Sequence, residues 1–211
     1  MARIMLVVGG CRSGKSAYAQ RLAESLPPPR LFLATCPVID EEMARRIEAH
    51  QSARRDRGWE TVEEPLDVAA VLARQQPHHV LLLDCVTLWV NNLMYAAESR
   101  SEGTVPIFAG TARAPSTDGR PWSAKMGLSP CAPFGEVEIT GECRKLLAAA
   151  RARAGHVILV SNEVGMGIVP ENPSARRFRD LVGRANQEIA GGADAVTLVC
   201  CGIPQALKGE R

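Results

Sequence analysis

The chain has 211 residues, of which 46% are hydrophobic and 23% are charged, and this balance excludes a chain disordered throughout. The formal net charge is only +2 and aromatic residues make up 4%, so neither a basic nucleic-acid surface nor a base-stacking platform is indicated. No apolar run reaches the roughly 20 residues that a membrane span needs. We therefore expect a globular protein with no nucleic-acid partner and no membrane span.

Five short runs rich in leucine and β-branched residues are predicted to be strands buried on both faces. They are Arg3 to Val8, Leu31 to Thr35, Val80 to Cys85, His156 to Ser161 and Ala195 to Cys201. Segments with helical spacing of apolar residues lie between them, one stopped by Pro27 and another framed by Asn172-Pro173 and Gly191-Gly192. This alternation predicts the α/β class, a parallel sheet with helices on both faces.

One segment, Ser99 to Gly135, breaks this rhythm because it is rich in Gly, Pro, Ser and Thr and has no periodicity. A structureless stretch of that length is uncommon inside a compact domain. We interpret it as a flexible surface insertion, with a lid over the substrate as the alternative. The rest of the chain has an ordinary size for one domain, so residues 1–211 are predicted to form a single domain with one insertion at 99–135.

The seven cysteines are odd in number and contain no Cys-x-x-Cys spacing, which argues against a disulfide framework and a zinc ribbon. We expect most of them to be small buried hydrophobic residues in a reducing cytoplasm. The apolar run Ile4 to Val8 is too short for a signal-peptide core and leads directly into Gly9-Gly10, which favours a strand.

A phosphate-binding loop is the most specific motif of the sequence. The pattern G-x-x-x-x-G-K-[ST] falls between the first predicted strand and the first predicted helix, which is the context the motif requires. Its main-chain amides and the helix N-terminus form an anion site, Lys15 reaches the β- and γ-phosphates, and the Ser16 hydroxyl ligates Mg²⁺. The residues of the motif are Gly9, Gly10, Cys11, Arg12, Ser13, Gly14, Lys15 and Ser16.

Two acidic residues follow predicted strands and so fall at the edge where α/β sheets bind ligands. Asp84 ends the run from Val80 and is predicted to hold the magnesium shell at the end of a strand neighbouring the phosphate loop. Glu163 follows the run from Val157 and is either a base, a metal-shell residue or a cap for the next turn. These residues indicate phosphoryl or nucleotidyl transfer without identifying the substrate.

His50 differs from the other three histidines, which lie at predicted strand entries. Asp40 to Arg57 is predicted to be a helix, and Ile39, Met43, Ile47 and His50 fall on one of its faces. On this spacing alone, His50 is either a partly buried core residue or a neutral imidazole that attacks phosphorus.

These residues together resemble the bifunctional adenosylcobinamide kinase/adenosylcobinamide-phosphate guanylyltransferases of cobalamin biosynthesis. The resemblance rests on the phosphate loop, on Ile39 to His50, on Trp59 to Glu63, and on the block Ser161-Asn162-Glu163-Val164-Gly165-Met166-Gly167-Ile168-Val169-Pro170 with Arg177-Phe178-Arg179-Asp180, Gly183 and Asn186-Gln187. It covers nearly the whole chain except Ser99 to Gly135.

The resemblance implies two reactions at one site. A nucleoside triphosphate, ATP or GTP, first phosphorylates adenosylcobinamide, and GMP is then transferred from GTP through a guanylyl-histidine to adenosylcobinamide phosphate. His50 matches the histidine that carries GMP, and Mg²⁺ is implied with the nucleotide, held by Ser16 and Asp84. A homotrimer is also implied. Beyond the phosphate loop, the implied nucleotide contacts are Ala34, Thr35, Cys36, Gln51, Ser52, Ala53, Arg54, Glu63 and Asp84.

Two other functions fit part of the sequence. One is a P-loop kinase that lacks the guanylyl step, and the other is a nucleotide-dependent regulatory protein that uses the insertion to dock a partner. His50 discriminates between these possibilities, because neither alternative needs a nucleophile at that position.

Overall fold

A computed structural model of the protein describes residues 1–36, 54, 57–74, 78–101 and 134–209. Seven strands form one sheet: β1 (Arg3–Gly9), β2 (Arg30–Ala34), β3 (Trp59–Glu63), β4 (Val80–Asp84), β5 (His156–Asn162), β6 (Ala195–Cys200) and β7 (Ile203–Lys208). The helices of the described residues are α1 (Lys15–Glu24), α2 (Val68–Ala73), α3 (Val86–Ser101), α4 (Glu136–Ala152) and α5 (Pro173–Gly192).

The strands are arranged in the order β3-β2-β4-β5-β1-β6-β7, and every neighbouring pair is parallel except β6 and β7. The α/β class predicted from alternating apolar strands and helices is therefore confirmed. Because six strands run in the same direction, their carboxyl ends meet along one edge of the sheet, and the loops there form the ligand-binding edge of such folds.

Alternate residues of the strands enter two hydrophobic layers, as the pleat of a strand requires. On one face Leu6, Leu83 and Leu159 are fully buried beneath α2, α3, α4 and α5. On the other face Leu82 and Ile158 pack towards α1. Helices therefore cover both faces of the sheet, in agreement with the prediction from sequence.

The two edge strands were not predicted, and both are poor in buried apolar side chains. β3 is mostly exposed, and β7 carries Pro204 and is exposed along nearly all its length. Edge strands face water, so they need no continuous apolar run, and proline is tolerated there. The signal that identified the five central strands is absent from both edges for this physical reason.

The helix signals at residues 172–173 and 191–192 were correct. The Asn172 side chain accepts hydrogen bonds from the amides of Ser174 at 2.8 Å and Ala175 at 3.3 Å, and Pro173 is the first residue of α5. Proline is favoured at that position because its missing N–H group would have no partner inside the helix.

The first three residues of the predicted insertion, 99–101, belong to α3, which continues to Ser101. Residues 102–133 lie outside the described part of the chain. The residues that flank them are held together by Arg177 of α5, which donates to the main-chain oxygen of Phe134 at 3.1 Å and pairs with Glu98 of α3 at 3.1 Å. Phe134 is itself fully buried.

The expectation that most cysteines are buried is wrong for the described part of the chain. Cys85 and Cys143 are buried, whereas Cys11, Cys200 and Cys201 are exposed. The three exposed thiols all lie at the carboxyl edge of the sheet, Cys11 and Cys201 in loops and Cys200 at the end of β6, where turn geometry rather than core packing determines exposure. Among the described helices, none combines the length and apolarity needed to cross a membrane.

Candidate active site

The phosphate loop connects β1 directly to α1, as the sequence predicted. β1 ends at Gly9 and α1 begins at Lys15, with Gly14 at its N-cap and no side chain capping the helix. The loop is tight because Arg12 and Gly14 have φ angles of 58° and 90°, and the Ser13 amide donates to the Gly10 oxygen at 3.2 Å. An uncapped helix N-terminus behind such a turn presents its first-turn amides to an anion.

Two glycines of the motif are required by the close approach of the β6–β7 turn. A Cβ at Gly9 would collide with the main-chain oxygen of Val199 and would come within 2.5 Å of the Ser13 Oγ. Gly14 has a left-handed backbone, and a Cβ there would lie 3.3 Å from the Cα of Gly202. The Gly202 amide also donates to the Ser13 oxygen at 2.8 Å, so this turn supports the phosphate loop from behind.

The side chains of the motif divide into buried and accessible groups. Lys15 is only 9% exposed, and its Nζ donates to the Gly10 oxygen at 3.2 Å, so the ammonium lies against the loop. Ser16 is half-buried, whereas Cys11 and Arg12 are exposed. An anion in the loop would therefore meet main-chain amides and one ammonium group in a partly desolvated place, where charge interactions are strengthened.

Asp84 lies at the carboxyl edge but is one strand further from the phosphate loop than predicted. β5 lies between β1 and β4, so Asp84 pairs directly with Val160 of β5 and not with a residue of β1. Two strand spacings separate the end of β4 from that of β1, about 10 Å. Sequence order could not reveal this insertion, because β5 begins at His156, 72 residues after Asp84.

The charge of Asp84 acts on two buried neighbours. Burial lowers the pKa of the Arg54 guanidinium, and the Asp84 carboxylate opposes that effect. Burial, followed by the same carboxylate, raises the pKa of the Cys85 thiol to about 12. Cys85 is therefore protonated at neutral pH and is not a nucleophile, although it lies at this edge.

β5, which lies directly beside β1, brings the main chain of Glu163 to the phosphate loop. The Glu163 amide donates to the Gly9 oxygen at 3.0 Å, and Gly9 is level with Asn162 in the sheet. The Glu163 carboxylate accepts a hydrogen bond from the Gly165 amide at 3.2 Å. Of the three roles considered for this residue, the geometry supports the cap of the following turn.

A buried polar network that sequence reasoning missed holds the end of β5. The Ser161 hydroxyl donates to the Asn186 side chain at 2.6 Å and lies 3.3 Å from the Thr87 hydroxyl. The Thr87 oxygen accepts from the Asn162 amide at 2.7 Å, and Asn186 donates to the Asn162 oxygen at 3.0 Å. Such polar residues inside otherwise apolar segments were the available signal, because buried polar groups need partners.

Among the residues that end or follow β2, Thr35 uses its side chain to join two strand ends. Thr35 is fully buried, and its hydroxyl donates to the Cys85 oxygen at 2.8 Å and accepts from the Cys85 amide at 3.0 Å. This pair of bonds joins the ends of β2 and β4. Ala34 and Cys36 are half-buried on either side, and Glu63 is exposed at the end of β3, level with Ala34.

Arg54 is the predicted contact with the most unusual surroundings. Its side chain is only 4% exposed, and its guanidinium carbon lies 3.5 Å from the centroid of the Phe32 ring. Its Nε and Nη1 atoms have no hydrogen-bond partner among the described residues. A buried guanidinium with unused donors beside Asp84 is suited to an anionic or carbonyl group of a ligand.

The remaining predicted site residues lie outside the described part of the chain. They are His50, Gln51, Ser52 and Ala53, together with most of the helix predicted for Asp40 to Arg57. The structure thus brings the phosphate loop and Asp84 to the carboxyl edge of the sheet, and it places the Arg54 guanidinium over Phe32, in the middle of β2.

Comparison with known proteins identifies the family to which the chain belongs. The family described as cobinamide kinase / cobinamide phosphate guanyltransferase matches residues 5–207. Two proteins named bifunctional adenosylcobalamin biosynthesis protein CobU, from Salmonella typhimurium and Escherichia coli, are each 38% identical over 207 residues, 97% of this chain and 99% of theirs. The Pseudomonas aeruginosa protein CobP is 35% identical over 206 residues, 97% of both chains. The chain therefore belongs to the cobinamide kinase / cobinamide phosphate guanyltransferase family.

Proposed function

We propose that this protein phosphorylates adenosylcobinamide with a nucleoside triphosphate and then transfers GMP from GTP to the phosphate it has made. The observation that carries the proposal is the complete phosphate loop, with Lys15 buried against it, in a chain that the family matches over residues 5–207. The relatives from three bacteria, which this chain covers almost entirely, are named as bifunctional proteins of adenosylcobalamin biosynthesis.

In the kinase step, an oxygen of the substrate hydroxyl forms a bond to the γ-phosphorus while the bond to the β-bridging oxygen breaks. The hydroxyl proton is lost and a nucleoside diphosphate leaves. Little covalent chemistry is asked of the protein, which must position the two substrates and neutralise the phosphate charge. The uncapped amides of α1 and the Lys15 ammonium are the groups suited to that task.

A Mg²⁺ ion fits the donors at this edge. The Ser16 hydroxyl and the Asp84 carboxylate supply oxygen ligands, which Mg²⁺ prefers. Within the described ranges no three acidic, histidine or cysteine side chains gather into a cage for a metal ion. This suits Mg²⁺, which is commonly held by one or two protein oxygens together with substrate phosphates and water. When bound, it supplies positive charge that polarises the phosphate oxygens.

In the guanylyl step, we propose that the His50 imidazole attacks the α-phosphorus of GTP. A phosphorus–nitrogen bond forms, the bond to the β-phosphate oxygen breaks, and pyrophosphate leaves. An oxygen of the cobinamide phosphate then attacks the same phosphorus, breaks the phosphorus–nitrogen bond and regenerates the imidazole. The role is proposed for His50 because it matches the family histidine. The anion site of the phosphate loop would hold the triphosphate in a fixed position for the attack.

The other nucleotide contacts of the family are proposed here at the matching positions. Arg54 has the strongest support, because its unused donors are buried beside Asp84. Glu63 is accessible at the same edge, and the segment Ala34 to Cys36 can contribute main-chain groups, since the Thr35 hydroxyl is occupied. Gln51 to Ala53 stay proposals on the resemblance alone.

Labelled GTP tests the guanylyl step directly. With GTP labelled at the α-phosphate, the protein is expected to acquire an adduct that is labile in acid and stable in base, as a phosphoramidate is. His50→Ala should abolish the adduct, whereas His79→Ala should retain it, because His79 lies at the amino edge immediately before β4. Label at the γ-phosphate should leave no mark on His50.

The main alternative is a P-loop kinase without guanylyl transfer, and the same experiment separates the two. A wild-type protein that phosphorylates adenosylcobinamide but never takes up the α-label would establish the alternative. A Lys15→Ala variant separates failure of the phosphate site from failure of the nucleophile, because it is expected to lower both reactions.

We also propose that the protein acts as a homotrimer in the cytoplasm. The resemblance supports the trimer, and the exposed apolar side chains of Met166, Ile168 and Val169 are the kind of surface that copies of a chain bury. The thiols of Cys11, Cys200 and Cys201 are accessible, which suits a reducing compartment. Light scattering on a sizing column should give three times the 22.7 kDa of one chain.

A further inference from the structure

Two adjacent cysteines lie at the turn that supports the phosphate loop. Cys200 ends β6 and Cys201 follows it, both are exposed, and their sulfur atoms are 3.8 Å apart. None of the functions proposed above uses these thiols. Their side chains therefore stand next to each other in solvent, at the edge of the sheet where the nucleotide is expected.

The backbone of this turn is of a kind that seldom contains cysteine. Cys201 and Gly202 have φ angles of 52° and 78°, and Cys200 is paired with Ile203 across the hairpin. Two left-handed residues between antiparallel strands are typical of a tight hairpin turn, where Asn, Asp and Gly predominate. A non-glycine side chain in a left-handed backbone is uncommon, and such positions are enriched at functional sites.

The distance between the two sulfur atoms fits a shared metal ion better than a disulfide bond. Two thiolates bound to a tetrahedral Zn²⁺ at about 2.3 Å each lie about 3.8 Å apart. A disulfide would require the sulfur atoms to approach to about 2.0 Å. The observed 3.8 Å therefore matches chelation without movement of the turn.

We propose that Cys200 and Cys201 form a dithiolate site for a thiophilic divalent cation such as Zn²⁺ or Cd²⁺. Thiolates select such cations over Mg²⁺, which prefers oxygen. Within the described ranges no third histidine, cysteine or carboxylate joins the pair to make a larger cluster, so water completes the coordination. Binding breaks two S–H bonds, forms two metal–sulfur bonds and releases two protons to solvent, with no transfer of electrons.

Occupation of this site acts on the phosphate loop through the main chain. The Gly202 amide donates to the Ser13 oxygen at 2.8 Å, and the backbone of Gly202 is packed against Gly14. The oxygen of Val199 is packed against Gly9. A metal ion that fixes the turn therefore changes the affinity of the loop for a nucleotide, and the nucleotide changes the affinity for the metal by the same factor.

The binding site is tested with Cd²⁺ alone on the reduced full chain, followed by the thiolate-to-cadmium charge-transfer absorption. The Cys200→Ser/Cys201→Ser double variant gives the background from the other cysteines. The wild type should show one additional equivalent of tight binding. Each single variant, Cys200→Ser or Cys201→Ser, should bind at least about a hundredfold more weakly, because the second thiolate no longer binds intramolecularly.

Two outcomes would contradict the proposed dithiolate site. Single variants that bind Cd²⁺ as tightly as the wild type would overturn the dithiolate site, because one thiolate would then be sufficient. A thiol titration of the purified protein that finds two fewer reactive thiols than expected, recovered on reduction, would show a disulfide and would also overturn it. Circular dichroism of the single variants establishes that they are folded.

The link to the phosphate loop is tested by titrating GTP with Mg²⁺ in the presence and absence of Cd²⁺. The dissociation constant for GTP should change in the wild type and not in the double variant, which also corrects for Cd²⁺ bound to nucleotide phosphates. An equal response of both proteins would refute the link. Neither titration requires turnover or the His50 adduct, so a failure here is distinct from a failure of the proposed function.

Discussion

The two ends of the parallel strands, here called the amino edge and the carboxyl edge of the sheet, differ in how their polar groups are bonded. At the amino edge, the Arg151 guanidinium holds both oxygens of Asp194 at 2.6 and 2.7 Å and also donates to the main-chain oxygens of Ala2 and Gly192. The Asp194 carboxylate accepts a further bond from the Ile4 amide at 2.7 Å. These groups bond to one another and to the ends of strands and helices, so the surroundings of Asp194 are closed by internal contacts. At the same edge, the buried Nδ1 atoms of His78 and His156 and the Nε of Arg153 have no partner among the described residues.

The carboxyl edge leaves comparable groups available. The N-terminus of α1 has no side-chain cap there, and Arg54, which lies over Phe32 in the middle of β2, has two donors without a partner in the described part of the chain. Among the described residues, the Lys15 ammonium bonds only the Gly10 oxygen of the loop, a bond that it can exchange for one to a phosphate. The comparison separates two kinds of group: internally bonded ones such as Arg151 and Asp194 stabilise the fold, whereas the first-turn amides of α1 and the Lys15 ammonium are placed where a phosphate can bind.

The largest expected effect comes from removing the ammonium group of Lys15. Lys15→Ala should lower kcat/KM of phosphate transfer by about 10²- to 10³-fold, because a charge placed at the transferring phosphate is lost from a partly desolvated site. The free energy of unfolding should change little. Steady-state kinetics with adenosylcobinamide and urea denaturation of the same protein provide the measurement.

Lys145→Ala is the matched control for that variant. Lys145 is exposed and pairs with Glu142 on the outer surface of α4, away from the carboxyl edge. Its kinetics should equal those of the wild type. If both lysine variants lost activity to the same extent, the assignment of Lys15 to the phosphate site would be wrong.

A smaller effect is expected from a methyl group at Gly14. Gly14→Ala forces a side chain into a backbone with φ of 90° and within 3.3 Å of the Gly202 Cα, so the loop must shift. We expect the free energy of unfolding to fall by about 1–2 kcal/mol. GTP affinity should fall by about tenfold or more, since a loss of about 1.4 kcal/mol corresponds to a factor of ten.

Gly141→Ala provides the comparison for this change. Gly141 lies inside α4, where an added Cβ meets nothing within 4 Å. The substitution should stabilise the protein by about 0.5–1 kcal/mol because alanine is the better helix former, and GTP binding should be unchanged. Calorimetry of GTP binding and thermal unfolding of both variants measure the contrast, which similar losses in the two would contradict.

The smallest effect is expected at the amino edge. The hydrogen bond from Arg151, followed by that from the Ile4 amide, lowers the pKa of Asp194 below its usual value. Asp194→Asn should cost about 1 kcal/mol, a modest value because the pair is partly exposed to solvent. This corresponds to a fall in Tm of about 2–4 °C, with kcat/KM unchanged.

The pH dependence of that loss has a defined sign. A carboxylate with a lowered pKa stabilises the folded state fully above its unfolded pKa of about 3.9, and the contribution is lost as pH falls through the folded pKa. The difference between Asp194→Asn and the wild type should therefore be constant near neutral pH and shrink in acid. Glu142→Gln, which breaks a pair within one helix, should change stability by no more than about 0.5 kcal/mol. A difference for Asp194→Asn that grows in acid would contradict the interpretation.

The central strands and the phosphate loop were predictable because they follow from local sequence. Leu81 to Leu83 form a short continuous apolar run, which is typical of a buried strand, and the glycine-rich motif lies between a strand and a helix, as it requires. β3 and β7 could not be predicted in this way, since edge strands need no buried faces. The network of Thr87, Ser161 and Asn186 also escaped, because hydrogen bonds between residues far apart in the chain leave no periodic signal.

The sequence by itself determined the class of fold, the phosphate loop and the family resemblance, since each depends on residues that are neighbours in the chain. The tertiary structure alone decided that β5 separates Asp84 from the strand of the phosphate loop. It also decided that the turn at Gly202 supports that loop and places the Cys200 and Cys201 thiols beside it. The reason is physical: the order of strands in a sheet is set by how crossovers pack, and that packing brings together residues separated by most of the chain.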